Sequence, residues 1–113
     1  MIQLPDSVKT YFDASNMEHL DSFLAAFNDD AYVFDFNRDF KGIEAIRNWS
    51  KTDIFGVHVR FEITDATEQD GVYAVIASLD GDFDKTNLPS PLYLKHTFKL
   101  AGGKIKELQV SLP

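Results

Sequence analysis

The hydrophobic period of this chain changes once, and that change limits its fold more than any other feature. Up to Trp49 the apolar residues fall mostly at helical spacing, interrupted by one short aromatic stretch; from Val57 onward they alternate. Leu4, Val8, Tyr11 and Phe12 make a first helical stripe, entered through Leu4-Pro5-Asp6-Ser7, where Asp6 or Ser7 can cap. Asn16 can cap a second helix with Met17, Leu20, Phe23, Leu24 and Phe27 on its apolar side. Gly42 precedes a third, with Ile43, Ile46 and Trp49 on one side. Val57, Val59, Phe61 and Ile63 then alternate with His58, Arg60, Glu62 and Thr64, and Leu92 to Leu100 repeats the pattern. Gln69-Asp70-Gly71 and Gly102-Gly103 are turn signals, Asp84 to Pro91 is a loop by composition, and Ile105 to Leu112 is a last strand. Val72 to Ala77 does not alternate, as expected of a strand covered on both faces. Helices segregated from turn-linked strands predict one α+β domain over residues 1–113. Its helices pack on one face of a strongly curved, mostly antiparallel sheet and close a conical cavity.

Between the two regimes lies Asn28 to Trp49. Here the second helix ends, Tyr32, Val33, Phe34 and Phe36 supply strand formers, and a Gly-containing loop leads into the third helix. Asp35 interrupts the strand. Alternation places it with Val33 and away from Tyr32, Phe34 and Phe36. A carboxylate there either lines a pocket that uses it, abstracting a proton or orienting a water, or faces solvent paired with Arg38 or Arg47.

Composition narrows the functions. A net charge of −7 with no Lys/Arg cluster argues against nucleic acid and against an anionic membrane. No run reaches the roughly 18 apolar residues of a membrane span, and the start of the chain has no signal-peptide pattern, which predicts a soluble, cytoplasmic protein. The absence of cysteine removes disulfides, thiolate chemistry and Cys-bound zinc. Three histidines without ligand spacing predict no metal, and nothing calls for a cofactor. Ten Phe are many for 113 residues and suit a core or an apolar cavity wall.

Two further side chains stand out. His96 is in register with Leu92, Leu94, Phe98 and Leu100 on the apolar face of its strand, where an imidazole is either a general acid or base or a satisfied core residue. Tyr11 is either a pocket donor or a core tyrosine whose hydroxyl reaches water. Trp49 lines the mouth of a cavity or caps the core. His58, beside Arg60 and Glu62, is read as solvated or at an interface, and His19 as surface.

Tyr11-Phe12, the segment NMEHLDSFLAAFNDDAYVFDF, the segment KGIEAIRNW and the late strands joined around Gly-Lys-Ile together resemble the SnoaL-like branch of the NTF2-like superfamily. That resemblance implies a cone-shaped NTF2-like fold and a pocket for a small hydrophobic ligand. It also implies cofactor-independent proton transfer of isomerase, cyclase or dehydratase type, or a non-catalytic binding or dimerisation module. By analogy with ketosteroid isomerases, Asp35 stands at the general base and Tyr11 at the helix tyrosine that donates to the oxyanion. His96 replaces the late-strand acid, and Phe36 replaces the proline that often follows the base. Phe12, Val33, Trp49, Leu94 and Phe98 become pocket-lining residues. Epoxide hydrolases of the superfamily use an Asp-Arg-Asp set on late strands; here Asp80 and Asp82 flank Gly81 without the arginine. Relatives commonly form homodimers through the outer sheet face, where Tyr93 and Thr97 point beside Lys95 and Lys99.

Overall fold

The computed structural model describes residues 2–113. Helices α1 (Asp6–Asn16) and α2 (Leu20–Ala25) lead into strands β1 (Phe27–Asp35) and β2 (Arg38–Lys41). Helix α3 (Ile43–Ser50) continues as a π-helical turn (Lys51–Phe55). Strands β3 (Arg60–Gln69), β4 (Val72–Asp80), β5 (Leu92–Ala101) and β6 (Lys104–Ser111) complete the chain. The six strands form one open sheet in the order β2-β1-β6-β5-β4-β3. Every neighbouring pair is antiparallel except β1 with β6, which is parallel. Register breaks at Phe27/Tyr32, Ile63/Asp65 and Lys99/Leu100 bend the strands, so the sheet curves around the helices. The fold is α+β, helices on one side of a curved and unclosed sheet.

Helix α1 supplies the wedge that this sheet wraps. Val8, Tyr11, Phe12 and Ala14 are buried on its inner face. Tyr11 is the hub: its ring centroid lies 4.9 Å from Phe12, 5.0 Å from Phe23, 5.3 Å from Phe98 and 6.1 Å from Phe27, mostly edge-on. Such pairs add about 0.5–1.5 kcal/mol each beyond area burial. They also fill the closed end of the cone with side chain, which leaves little of it empty.

Several local expectations change. Met17 is 77% exposed, and α2 starts only at Leu20, because Glu18 takes a left-handed φ of 55° that no helix accommodates. His19, not Asn16, caps α2, its Nδ1 accepting from the Ser22 backbone N–H at 3.2 Å. Asn16 instead clamps β3, donating to the Phe61 carbonyl at 2.9 Å and accepting from the Phe61 N–H at 2.7 Å. Phe27 belongs to β1 rather than to the second helix. His58, at φ 53°, delays β3 to Arg60. The segment read as a Gly-containing loop holds β2, a four-residue edge strand whose charged composition hid it. Gly42, at φ 86°, then turns the chain into α3 while its N–H donates to the Ala31 carbonyl at 2.8 Å. On β4 the helices cover one face only: Val75 and Ala77 are buried, while Val72, Ala74 and Ile76 on the other face are half-buried.

Candidate functional site

Near the mouth of the cone the packing leaves a cavity of about 70 Å³. Tyr11 reaches it from α1, Asp35 from β1, Trp49 from α3, Asp53 from the π-helical turn, and Leu94 and His96 from β5. Phe12, Val33 and Phe98 do not line it. All three are buried in the core.

Asp35 is the last residue of β1, on the same face as buried Ala31 and Val33. It is anchored through one oxygen. Oδ2 accepts from the Trp49 indole N–H at 3.1 Å and from Arg38 Nη2 at 2.7 Å, while Oδ1 has no hydrogen-bond partner among the described residues. Asp35 therefore borders the cavity and pairs with Arg38 at the same time. Arg47 pairs with Glu44 instead. The same Arg38 nitrogen donates to Asp53 Oδ2, so one guanidinium bridges two carboxylates that both border the cavity. An Asp-Arg-Asp arrangement thus exists in this chain, built from β1, β2 and the π-helical turn rather than from the late strands. Asp80 is exposed and bonded to Lys85 at 2.8 Å, and neither it nor Asp82 lines this cavity.

The other two groups are held neutral. Burial raises the Tyr11 hydroxyl well above the ordinary phenol range, and the nearby Asp35 charge adds to the rise. Burial pushes the His96 ring down to about 4 against the pull of the Val75 and Leu94 backbone. Its ring packs 5.1 Å from Phe12 and 5.3 Å from Phe61 and stacks on Phe98, and its Nδ1 makes no hydrogen bond among the described residues. At neutral pH the site offers one carboxylate oxygen without a partner beside a phenol and an uncharged imidazole.

A wider cleft of about 560 Å³ lies under the 83–91 loop, but it holds none of these groups. Its cations are already paired, Lys85 with Asp80 in the same lining and Arg60 with Glu18 outside it. His58 joins Glu18 at 2.5 Å, and these bonds hold the Glu18 carboxyl below its usual range, His58 first and Arg60 second. His58 and His19 lie at the surface, far from any role in the cavity lining.

Sequence reasoning named Arg38 only as a solvent-side partner and gave no role to Asp53. Nothing in Lys51-Thr52-Asp53-Ile54-Phe55 marks an acid that turns inward, because only the wider π-helical turn aims it at Arg38. Since the Arg38 side chain is 55% exposed, Arg38→Ala should lower stability by less than about 1 kcal/mol. The same change should shift the indole N–H resonance of Trp49, the one tryptophan of the chain, as Oδ2 loses its second donor. Thermal melts and ¹⁵N–¹H spectra of the variant check both.

Residues 8–108 match the family model of the SnoaL-like domain. The chain belongs to the SnoaL-like family. No curated protein matches it. Among solved structures, a candidate polyketide cyclase from Sinorhizobium meliloti superimposes with a TM-score of 0.85 at 29% identity, over 96% of this chain and 95% of that one. Rv0760c from Mycobacterium tuberculosis, in complex with estradiol-17beta-hemisuccinate, does so at 0.78 and 15% identity, over 95% and 91%. A protein of ketosteroid isomerase-like fold from Catenulispora acidiphila, in complex with trimethylamine, reaches 0.76 at 20% identity, over 96% and 86%. The last two share the NTF2-like fold with this SnoaL-like chain. No helix among the described residues is long and apolar enough to cross a membrane.

Proposed function

We propose that this SnoaL-like protein binds a small organic molecule in the Asp35 cavity and moves a proton on it without a cofactor. The observation that carries this reading is the division of labour at Asp35. Trp49 and Arg38 hold one oxygen, and the other is left without a partner in a cavity that Tyr11 and His96 also line. Asp35 Oδ1 takes a proton from the carbon next to a carbonyl. The electron pair moves to the carbonyl oxygen, where the Tyr11 hydroxyl and the neutral His96 ring donate hydrogen bonds to the enolate. Return of the proton to the same or another carbon restores the acid and gives exchange or isomerisation.

Size sets the substrate. Pockets for drug-sized ligands run to about 300–1,000 Å³, and a cavity of about 150 Å³ takes a benzene-sized ligand. At about 70 Å³ this one admits a few heavy atoms and no steroid. Of the ligands held by structures of the same fold, trimethylamine is the nearer in size. The test is hydrogen–deuterium exchange of small ketones and aldehydes in D₂O, followed by NMR. Exchange above buffer with wild-type protein supports the reading, and its absence across a series from acetone to pentanone overturns the catalytic part.

The second reading is a binding module without turnover. It is favoured by the two donors on Asp35 Oδ2, which tie one of the two carboxylate oxygens to Trp49 and Arg38 and leave a single oxygen to meet a ligand. Ligand-induced shifts of Trp49 with no exchange would select it. Both readings accommodate a homodimer through the outer sheet face. Tyr93 is 41% exposed there, and Ile76 and Ala74 lie opposite Lys95 and Thr97, a mixed apolar and polar surface. Light scattering at micromolar concentration should give twice the chain mass; the mass of one chain would exclude the pairing.

A further inference from the structure

The cavity has a charge as well as a size. Among the described residues, the charged side chains in its lining are Asp35 and Asp53 alone. Arg38 bonds Oδ2 of both but is not part of the lining, so two carboxylates face one guanidinium and one negative charge stays uncompensated. His96 adds no positive charge at neutral pH, since burial keeps its ring unprotonated. It lines the cavity at 1% exposure, with Nδ1 making no hydrogen bond among the described residues. The walls around these groups include the aromatic rings of Tyr11, Trp49 and Phe61.

We infer that the Asp35 cavity is a site for a small alkylammonium ion. The inference rests on the reading of this cavity as a ligand site and is independent of whether a proton is transferred there. An anion would meet net negative charge. An uncharged ligand such as a ketone can enter but leaves that charge unpaired, and so is held more weakly than a cation. A bare metal ion would give up its water for too few oxygens, because hard cations want about six. An alkylammonium is weakly hydrated by comparison, supplies an N–H to Asp35 Oδ1, and sets its methyl groups against the aromatic faces. A trimethylammonium-sized ion matches the volume of about 70 Å³.

Trp49 provides the readout, because its indole N–H donates to the carboxylate that the cation would pair with. Wild-type protein labelled with ¹⁵N is titrated at pH 7 with trimethylammonium chloride, acetone, sodium acetate and sodium chloride at matched ionic strength. The expected result is a saturable indole shift with trimethylammonium, at least about tenfold tighter than with acetone and absent with both sodium salts. Asp35→Asn should weaken the cation by at least about tenfold and Asp53→Asn by roughly threefold. Acetone binding as well as trimethylammonium, equal shifts with sodium chloride, or undiminished affinity in Asp35→Asn would each overturn the inference. Should Asp35→Asn not fold, competition between trimethylammonium and acetone on the wild type decides alone. Ketone exchange measured without the cation stays a separate result: its loss removes proton transfer and leaves cation binding standing, and the reverse also holds.

Discussion

Acidifying the protein from pH 6.5 to pH 4 is expected to remove about 3 kcal/mol of stability through His96 alone. In the unfolded chain this imidazole titrates near 6.5, and in the folded protein burial lowers it to about 4. Between those values the unfolded state holds the proton and the folded state does not. The contribution is therefore complete above pH 6.5 and is lost as pH falls toward 4. Solvent screening does not dilute the effect, since the ring is 1% exposed among Phe12, Phe61 and Phe98. His96→Phe removes the proton-binding group and the unsatisfied Nδ1 together while keeping a ring in the aromatic cluster. Its stability should match or exceed that of wild type at pH 7 and fall by about 3 kcal/mol less on acidification. Urea unfolding of both proteins at several pH values between 4 and 7 measures the difference. Equal pH dependence in the two would show that the ring is solvated or paired in solution.

Asp35→Asn is expected to lower any ketone exchange rate by about 10² to 10⁴-fold, the usual range for removing a positioned base. The amide occupies the same space and can still accept from Trp49, but it cannot take a proton. Stability should change little. Arg38 keeps Asp53 as its partner, and the Arg38 side chain is half in solvent, so the lost ion pair is worth less than about 1 kcal/mol. The combination matters: a large loss of rate in a protein that melts normally assigns the chemistry to Asp35, whereas a rate unchanged by the substitution removes it from the base position. Tyr11→Phe makes a graded companion, because it deletes one hydrogen-bond donor and leaves the ring contacts to Phe12, Phe23 and Phe98 in place.

The α+β class and the one-sided packing of helices on a curved sheet follow from periods alone. Helical spacing in Val8-Tyr11-Phe12 and alternation in Leu92 to Leu100 each determine a buried face, and burying both faces at once leaves few arrangements. The candidate site was partly legible for the same reason. Asp35 and His96 break apolar faces, so each pointed to a strand position where a polar group meets the interior. Tyr11 followed from its helix stripe. Local pattern was silent on everything that depends on a partner far along the chain. Asn16 looked like a cap until the Phe61 backbone claimed it, and His58 left its strand through a left-handed turn beside Glu18. Residues 38–41 read as loop because an edge strand needs only one neighbour and shows no apolar alternation. That strand brings Arg38 opposite Asp35, and a π-helical turn brings Asp53 to the same guanidinium. Cavity volume lay furthest from reach. The ten Phe residues fit an open pocket or a filled core equally well in the sequence, and only the structure shows Phe12, Phe23, Phe27 and Phe98 packed around Tyr11 with a cavity of about 70 Å³ left beside it. Periodicity records which face of an element is buried; how closely two buried faces approach is set by side chains from different elements meeting in three dimensions.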